Sequence, residues 1–259
     1  MLRSRIIPCL LVHNKGLVKT TGFKDPKYVG DLLNAVKIFN EKEVDELMVL
    51  DIDATVEDRE PNLELIKNLA IECRMPFCYG GGVTTVDQAK NIIKLGAEKV
   101  ALSSAAINDT SLLRKMGEAV GSQSVVVVID VKKKKGLLGK TTYEIYTKNG
   151  REKSGKKLEN FLKELNDIGV GEIVINSIDR DGTMEGYDNT LVKLVRDAVD
   201  IPITILGGAG SHEDIKSLIK DYKIIGAAAG SLFVFKGKYR AVLINYPNRI
   251  EKRNILNNQ

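Results

Sequence analysis

Eight short apolar runs, rich in β-branched residues, recur along the chain and are separated by segments with the spacing of amphipathic helices. Nearly continuous apolar strands that alternate with helices are typical of a parallel sheet covered on its outer face. Eight such units in 259 residues favour a closed barrel over an open sheet. We therefore predict a single α/β domain, a (β/α)8 TIM barrel, with strands at Arg5–Val12, Glu46–Ile52, Pro76–Gly80, Lys99–Ser103, Ser124–Val131, Glu172–Ile178, Ile203–Gly207 and Ile224–Ala229.

One stretch lacks this regular pattern. Residues Val131–Lys156 include four consecutive lysines, and we interpret them as a long loop after the fifth strand, with Tyr143–Thr147 as a candidate hairpin strand. The polar C-terminal tail, residues 249–259, is expected to fray. Between the strands, helical spacing predicts helices at Leu63–Cys73, Thr85–Leu95, Ser111–Val120, Lys157–Ile168, Thr190–Ala198 and Asp214–Ile219.

The two halves of the chain resemble each other at a nearly constant offset. The run Glu46–Asp53 aligns with Glu172–Asp179, and glycine and serine positions further along recur as well. A duplicated half-barrel explains this internal repeat more simply than chance similarity among apolar strands. We predict half-barrels at about residues 1–120 and 121–245.

Composition places the chain among soluble globular proteins. Hydrophobic residues make up 43% and charged residues 28%, and no apolar run approaches the roughly 18 residues of a membrane span. The N-terminal segment lacks a small-residue cleavage site, so we interpret it as the first strand and not as a signal peptide. Aromatic residues are 5% without Trp, which disfavours nucleic-acid binding by base stacking, whereas a net charge of +5 favours anionic ligands.

The cysteines and histidines indicate a reducing compartment and argue against a metal site. Three cysteines without a CxxC pair predict neither a disulfide framework nor a zinc site. His13 and His212 are far apart in the sequence and lack metal-ligand spacing. We therefore expect a cytoplasmic protein without a metal. The cysteines are Cys9, Cys73 and Cys78.

Glycine and serine residues end four predicted strands in two matching sets. Gly80–Gly82 is followed one strand later by Ser103–Ser104, and Gly207–Gly210 is followed by Gly230–Ser231. Glycine lets backbone N–H groups approach an anion, and strand ends that lead into helix N-termini form phosphate cradles. Two cradles on opposite sides predict a ligand with a phosphate at each end. The alternative is a set of tight turns that bind nothing.

Carboxylates also stand at the carboxyl ends of strands, where barrels hold catalytic side chains. Asp130 is the most isolated, since it follows five apolar residues, and partial burial would raise its pKa toward the range useful for acid–base catalysis. Its alternative role is to cap the following loop. The matching position in the first half is Leu11, which excludes a symmetrical two-carboxylate mechanism with that pair. The other strand-end carboxylates are Asp51, Asp53, Asp179 and Asp181.

Four charged residues open strands at the opposite end of the barrel. Two cations and two anions at one mouth can close a ring of ion pairs. From the residues alone we interpret them as a stabilising network, because the amino-terminal face of such barrels is associated with stability. The four residues are Arg5, Glu46, Lys99 and Glu172.

Over about residues 2–235, the chain resembles the cyclase subunit of imidazole glycerol phosphate synthase, a barrel of histidine biosynthesis. A sister isomerase of that pathway shares the fold but fewer of these motifs. The motifs are RIIPCL at 5–10, LVK at 17–19, DEL at 45–47, GGGV at 80–83, GAEKV at 96–100, GSQSVVVVIDVK at 121–132, GVGEIVINSIDRDGT at 169–183, GYD at 186–188 and GGAG at 207–210.

The resemblance implies a partner and a reaction, and no cofactor. A separate glutaminase subunit of the HisH type docks at the amino-terminal face and supplies ammonia, which passes along the barrel axis. The cyclase combines this ammonia with a bisphosphorylated ribulosyl-formimino carboxamide ribotide. The products are imidazole glycerol phosphate and an aminoimidazole carboxamide ribotide.

The resemblance also implies roles for individual residues. The four strand-opening charges correspond to the family's ammonia gate, and Gln123 lies near that gate. Lys19 falls in the mobile first loop that covers the substrate. At the first phosphate site the family more usually has Asn-Thr than Ser-Ser. The phosphate-site positions are Gly82, Ser103 and Ser104 at one end of the ligand, and Asp181, Gly182, Gly208, Gly230 and Ser231 at the other.

The chain departs from the family at the reaction centre. The family's two catalytic aspartates map to positions 11 and 130; Asp130 is present, but Leu11 replaces the other. Loss of one member of an acid–base pair typically slows a reaction by about 10²–10⁴-fold. The loop after strand five is also longer and more basic than in the family. The sequence thus predicts that the gate and the anion sites are retained while the cyclase chemistry is lost.

Three hypotheses follow from this departure. In the leading one, a divergent paralogue keeps the glutaminase and the ammonia conduit and supplies a third, ATP-using amidotransferase that modifies a bacterial surface sugar. In the second, the chain is a working cyclase of histidine biosynthesis that moves the lost carboxylate role to Asp51 or Asp53. In the third, it is a non-catalytic regulatory partner of the glutaminase. We expect no nucleic-acid or membrane partner.

Overall fold

The computed structural model describes residues 3–135 and 141–256. Numbered in chain order, the strands are β1 Arg5–His13, β2 Gly16–Thr21, β3 Lys24–Gly30, β4 Leu47–Asp51, β5 Phe77–Gly80, β6 Lys99–Leu102, β7 Val125–Lys135, β8 Thr141–Thr147, β9 Glu152–Lys157, β10 Glu172–Ser177, β11 Ile203–Leu206, β12 Gly226–Ala229, β13 Phe235–Lys236 and β14 Ala241–Val242. The α-helices are α1 Leu32–Glu41, α2 Leu63–Glu72, α3 Val86–Leu95, α4 Ser104–Asn108, α5 Ser111–Val120, α6 Leu158–Ile168, α7 Asn189–Ala198, α8 His212–Tyr222, α9 Ser231–Val234 and α10 Arg249–Leu256.

Eight of these strands close into a parallel barrel, which confirms the predicted (β/α)8 fold. Around the barrel the order is β1, β4, β5, β6, β7, β10, β11 and β12, and β12 pairs again with β1. That closing pair aligns Arg5 with Gly226 and Pro8 with Ala229. Because closure leaves no free sheet edge, the backbone groups of the barrel strands have partners on both sides.

The outer helices cover the barrel with one apolar stripe each. In α7, Leu191 and Val195 are buried and lie on the same helix face. The Asp188 side chain caps this helix by accepting a hydrogen bond from the Leu191 N–H at 3.2 Å. Capping boxes at Thr85 and Ser211 begin α3 and α8 in the same way. These local signals fix where each helix starts and therefore which stripe faces the sheet.

The stretch predicted as an irregular loop, Val131–Lys156, is mostly strand, and the prediction was wrong there. β7 continues to Lys135 and pairs antiparallel with β8, which pairs in turn with β9. The candidate hairpin strand Tyr143–Thr147 lies within β8, where alternate side chains are buried. Residues 136–140 of the predicted loop lie outside the described residues. The lysines of β7 conceal the strand pattern because all of them face solvent.

A second hairpin, β2–β3, follows β1 and has no counterpart among the predicted elements. Most of β3 is exposed, so it lacks the apolar alternation by which strands are recognised. The two strands pair antiparallel, with Lys19 opposite Lys27. Both additional hairpins leave the barrel at the carboxyl ends of strands, so they stand on the face where the anion cradles were predicted.

The C-terminal tail was predicted to fray, and this was wrong for residues 249–256, which form α10. Ile255 is buried against the core, and Lys252 Nζ pairs with Asp45 Oδ1 at 2.7 Å. Just before the helix, the Tyr246 hydroxyl donates a hydrogen bond to the Ile6 carbonyl at 2.9 Å. The tail is therefore anchored by distant partners that its own polar composition does not reveal. Residues 257–259 lie outside the described part of the chain.

Inside the barrel, side chains stack in layers from the amino-terminal to the carboxyl-terminal face. The strand-opening charges form the first layer. Above them lies a layer of buried apolar side chains, and above that layer a cavity opens among the strand ends. The apolar layer includes Ile7, Met48, Cys78, Val126, Val174 and Ala228.

Candidate functional site

A cavity of about 290 Å³ opens at the carboxyl ends of the barrel strands. Its wall is formed by the barrel strands toward their carboxyl ends and by the segments that follow them, because parallel strands bring these ends to one face. All the positions that the resemblance assigns to the reaction centre, to the phosphate sites and to the first loop line this cavity. They are Leu11, Lys19, Gly82, Ser103, Ser104, Asp130, Asp181, Gly182, Gly208, Gly230 and Ser231.

Asp130 is one of the buried acids that line this cavity. It lies on β7, where its Oδ1 accepts a hydrogen bond from Asn176 Nδ2 on β10 at 3.0 Å. Burial raises the pKa of Asp130 to about 7, and the nearby charge of Asp181 adds to this increase, whereas the Asn176 bond opposes it. At neutral pH the carboxyl group therefore exists in both protonation states, as an acid–base group requires.

The wall around position 11 is apolar. Leu11 lies on β1, and its neighbour Leu50 on β4 also faces the cavity, as do Val128 and Leu206. None of these side chains can carry a proton. The cavity thus has an apolar wall around position 11 and no carboxylate at that position.

Asp51 and Asp53, the residues considered as replacements, already hold the loop after β4. Asp51 Oδ1 accepts hydrogen bonds from the N–H groups of Asp53 and Ala54 at 3.0 and 3.1 Å. Asp53 Oδ1 lies 2.6 Å from His13 Nδ1, and its Oδ2 accepts a hydrogen bond from the Asn14 N–H at 2.8 Å. Asp51 lines the cavity, so of the two it is the carboxylate with access to a ligand.

The first predicted anion cradle combines a tight glycine turn with two serines. The Ser103 hydroxyl is buried and has no hydrogen-bond partner within residues 3–135 and 141–256. Ser104 Oγ accepts a hydrogen bond from the Lys148 N–H at 3.0 Å. Gly82 has a φ of +71°, and a Cβ there would lie 2.3 Å from the Arg59 carbonyl. The backbone contact alone therefore requires this glycine, whether or not an anion binds.

The second cradle is covered by the β2–β3 hairpin. Asp181 Oδ2 accepts hydrogen bonds from the Thr20 hydroxyl at 2.6 Å and from the Phe23 N–H at 3.0 Å. Burial raises the pKa of Asp181 despite these bonds. Lys19 lies buried in β2, where its Nζ donates a hydrogen bond to the Cys9 carbonyl at 2.5 Å and burial lowers its pKa. A cation that is already desolvated at the cavity wall is well placed to meet an anion.

The two additional hairpins meet over the cavity. A Cβ on Gly150, in the turn between β8 and β9, would lie 3.0 Å from a ring carbon of Phe23 in the β2–β3 turn. Phe23, Lys148 and Asn149 all line the cavity. The hairpins thus form a roof, and sequence reasoning missed it because Phe23 carries no pattern that marks a contact with residue 150.

At the opposite end, the four strand-opening charges form a closed ring. Arg5 pairs with Glu46 and, at 2.7 Å, with Glu172, while Lys99 lies 2.7 Å from Glu46 and 2.8 Å from Glu172. Burial alone would raise the pKa of Glu172, but the charges of Arg5 and Lys99 outweigh it and hold that pKa below its ordinary value. The Thr204 hydroxyl also donates a hydrogen bond to Glu172.

Gln123 lies at the same end but outside the ring. It is exposed in a one-turn 3₁₀ helix at Ser122–Ser124, directly before β7. In the described part of the chain, no cluster of three His, Cys, Asp or Glu residues has the geometry of a metal site. No helix within residues 3–135 and 141–256 is long and apolar enough to cross a membrane. The three cysteines are free thiols.

Residues 5–240 match the family described as "Histidine biosynthesis protein". The chain belongs to the HisF group of this family. It is 39% identical to "Imidazole glycerol phosphate synthase subunit HisF" of Alkaliphilus metalliredigens, over 90% of this chain and 91% of that protein.

Two further relatives are more similar to this chain. It is 56% identical to "Putative imidazole glycerol phosphate synthase subunit HisF" of Leptospira borgpetersenii, over 97% of this chain and 98% of that protein. It is 50% identical to "Putative imidazole glycerol phosphate synthase subunit hisF2" of Pseudomonas aeruginosa, over 96% of this chain and 97% of that protein. The HisF resemblance inferred from the motifs is therefore confirmed at the level of the family.

The cavity also contains a functional candidate that sequence reasoning missed. Asn176 is buried, lines the cavity and binds Asp130, yet it was not singled out. A signal was available, since Asn176 lies near the carboxyl end of the predicted strand Glu172–Ile178, shortly before the aspartates at 179 and 181. It was overlooked because an amide carries no charge, and only the register of β10 against β7 pairs it with Asp130.

Proposed function

We propose that this chain is the barrel subunit of a glutamine-dependent amidotransferase complex and serves an acceptor other than the histidine-pathway ribotide. Ammonia from a separate glutaminase enters at the charge ring, crosses the barrel and emerges in the cavity. The observation that carries this proposal is the pairing of a closed charge ring with a cavity in which Leu11 stands where the family resemblance calls for a second aspartate.

The barrel interior supports the ammonia route. Between the ring and the cavity the inward side chains are apolar and buried, as at Ile7, Met48 and Val174. Burying an unpaired ion in such a layer costs several kcal/mol, whereas neutral ammonia incurs no such cost. The layer therefore favours passage of NH₃ over NH₄⁺. The charge ring lies below this layer and must open transiently for ammonia to pass. Each carboxylate of the ring can keep its ion pair with one cation while the other cation moves.

Asp130 has a role in this scheme that does not require a second carboxylate. With a pKa near 7 its ionised form can take the proton from an ammonium ion that forms in the cavity and later release that proton to water, so that nitrogen leaves the barrel as neutral ammonia. Asn176 positions the carboxylate by holding one of its oxygens. Cyclisation of the ribotide, by contrast, uses a second proton-transfer group in the family, and Leu11 cannot provide it.

The names and identities of the relatives support the placement of this chain in a separate subgroup of HisF proteins. The chain is 50–56% identical to proteins whose HisF names are qualified or numbered, and 38–39% identical to several proteins named HisF without qualification. We propose that the acceptor is a bacterial surface sugar, amidated by a third, ATP-using protein. In this scheme the two cradles have one of two roles. They bind a phosphorylated ligand that is not cyclised, or they are vestiges of the ancestral substrate site and bind nothing.

The alternative of a working cyclase depends on Asp51, because this carboxylate faces the cavity whereas Asp53 is engaged with His13. To transfer protons in place of the missing aspartate, Asp51 would have to give up the hydrogen bonds that it accepts from two N–H groups of the loop after β4. The third hypothesis, a regulatory partner, predicts that the associated glutaminase lacks its cysteine nucleophile, since no ammonia would need a conduit.

The deciding experiment is steady-state turnover of the bisphosphorylated ribotide with excess ammonium salt, which bypasses the glutaminase. We expect the native protein to be inactive and Leu11→Asp to gain activity. Leu206→Asp, at another leucine of the cavity wall, is the matched control and should stay inactive. Turnover by the native protein at a rate typical of cyclases would overturn the proposal and direct attention to Asp51.

A further inference from the structure

An exposed apolar surface stands on the β13–β14 hairpin. The Tyr239 side chain is 91% exposed, Val242 is 48% exposed and Leu243 is 51% exposed. We call these three residues the hairpin patch. Single exposed apolar residues are ordinary, so these three carry the argument through their number within five positions and through their surroundings.

The hairpin patch lies at the rim of the cavity. Arg240 Nη2 donates a hydrogen bond to the Gly182 carbonyl at 2.8 Å, and Gly182 lines the cavity. The Arg240 guanidinium and the Lys27 ammonium both pack on the Phe235 ring, 5.0 and 5.4 Å from its centre. These contacts fix the hairpin between the β2–β3 hairpin and the loop after β10. The patch thus lies on an anchored hairpin beside the mouth from which ammonia would leave.

The surroundings of the patch are positively charged. No Asp or Glu occurs from residue 222 to residue 250. Lys236 and Lys238 are exposed within the hairpin, and Lys24 and Lys27 are exposed on the neighbouring hairpin, whose single acid is the exposed Asp25. An apolar centre with a cationic border fits a partner surface that has an apolar centre and an acidic border. A second copy of this chain would bring like charges together, so self-association through this face is disfavoured.

We propose that the hairpin patch is the docking site for the protein that accepts the ammonia, and that this acceptor presents an acidic face with an apolar centre. The inference rests on the proposed function. Ammonia released into water at neutral pH is protonated and ceases to be a nucleophile, so a conduit is effective only when its exit is sealed against the acceptor. The rim of the cavity is the place where such a seal has to form.

The first step of the test is site-specific crosslinking in cells of the source organism. Benzoylphenylalanine replaces Tyr239 in one strain and Ile71 in the control strain; Ile71 is 71% exposed on α2, one of the outer helices. We expect an adduct specific to position 239, containing a protein that hydrolyses ATP and consumes ammonia. An adduct with a second copy of this chain, an adduct with the glutaminase, or no adduct beyond the control would overturn the proposal.

The second step uses the purified pair. Tyr239→Ala is expected to weaken binding at least tenfold, because a central exposed aromatic is the usual anchor of an interface. Lys236→Glu together with Lys238→Glu is expected to slow association and to reduce its dependence on salt. Unchanged affinity in Tyr239→Ala would overturn the docking site.

An anionic membrane is the competing occupant, and it is tested with vesicles of phosphatidylglycerol. Cosedimentation that is lost in Tyr239→Ala, without any position-specific protein adduct, would assign the patch to lipid instead. None of these results depends on ribotide turnover, so failure of the docking site and failure of the proposed function are separable. If the acceptor protein binds the native chain and Tyr239→Ala with equal affinity, the docking proposal fails while the amidotransferase role stands.

Discussion

Asn176 on β10 and Asp130 on β7 are opposite each other in the parallel pairing of these strands, and the amide nitrogen of Asn176 lies 3.0 Å from Asp130 Oδ1. This bond stabilises the ionised form of a carboxyl group that burial would otherwise keep protonated. The pair therefore sets the proton affinity of the acid in the cavity. It also makes that affinity open to direct measurement.

Asn176→Leu is expected to raise the pKa of Asp130 further above 7. A hydrogen bond to a charged group contributes about 1.5 kcal/mol or more, which corresponds to roughly a tenfold change in the protonation equilibrium. Carboxyl ¹³C NMR titration of Asp130 measures the change. Asn108→Leu, at another cavity-lining asparagine, is the control and should leave the titration where it is. An unchanged pKa in Asn176→Leu would contradict the assigned bond.

Asp130→Asn is expected to stabilise the protein at pH 8 and to have little effect at pH 4. The folded-state pKa of about 7 lies above the ordinary value of 3.8, so this carboxyl favours the folded state below pH 3.8 and that contribution is lost as the pH rises through 7. The difference is at most about 4 kcal/mol. Urea unfolding at the two pH values measures it, with the exposed Asp87→Asn as the control. Equal effects at both pH values would contradict the burial of an ionisable Asp130.

Glu172→Ala is expected to lower the free energy of unfolding by about 3 kcal/mol, because it leaves Arg5 and Lys99 sharing Glu46 alone in a partly buried layer. The folded-state pKa of Glu172 is held below its ordinary value, so its contribution is present above pH 4.5 and is lost as the pH falls through that lowered pKa. Denaturant unfolding at pH 7 measures the loss. Asp197→Ala, in an exposed pair with Lys193, is the control and should change stability by less than about 1 kcal/mol.

Tyr246→Phe is expected to lower the free energy of unfolding by about 1–2 kcal/mol. Its buried hydroxyl donates to the Ile6 carbonyl at 2.9 Å, and the Asp45 N–H donates to the same oxygen at 3.3 Å, so two backbone groups lose their partner. Tyr239→Phe removes the same atom from an exposed ring and should be neutral. Thermal unfolding measures both changes. Equal changes in stability for the two variants would show that this hydroxyl does not hold the tail.

The sequence by itself determined the barrel. Apolar runs of strand length, helical stripes and local caps such as Thr85 and Ser211 are short-range features, and their alternation leaves a closed parallel sheet as the economical way to bury every strand. The same periodicity assigns each strand end to a face. The sequence alone therefore places Asp130 at the carboxyl-terminal face, and Arg5 and Glu172 at the opposite mouth.

Only the tertiary structure decided which of these residues meet. The pairing of Asn176 with Asp130 depends on strand register across 46 positions, and the anchoring of α10 depends on Lys252 reaching Asp45 across 207. The roof over the cavity likewise depends on Phe23 meeting the turn at Gly150. Such contacts leave no local periodicity, because each partner is selected by the packing of the whole barrel and not by its sequence neighbours.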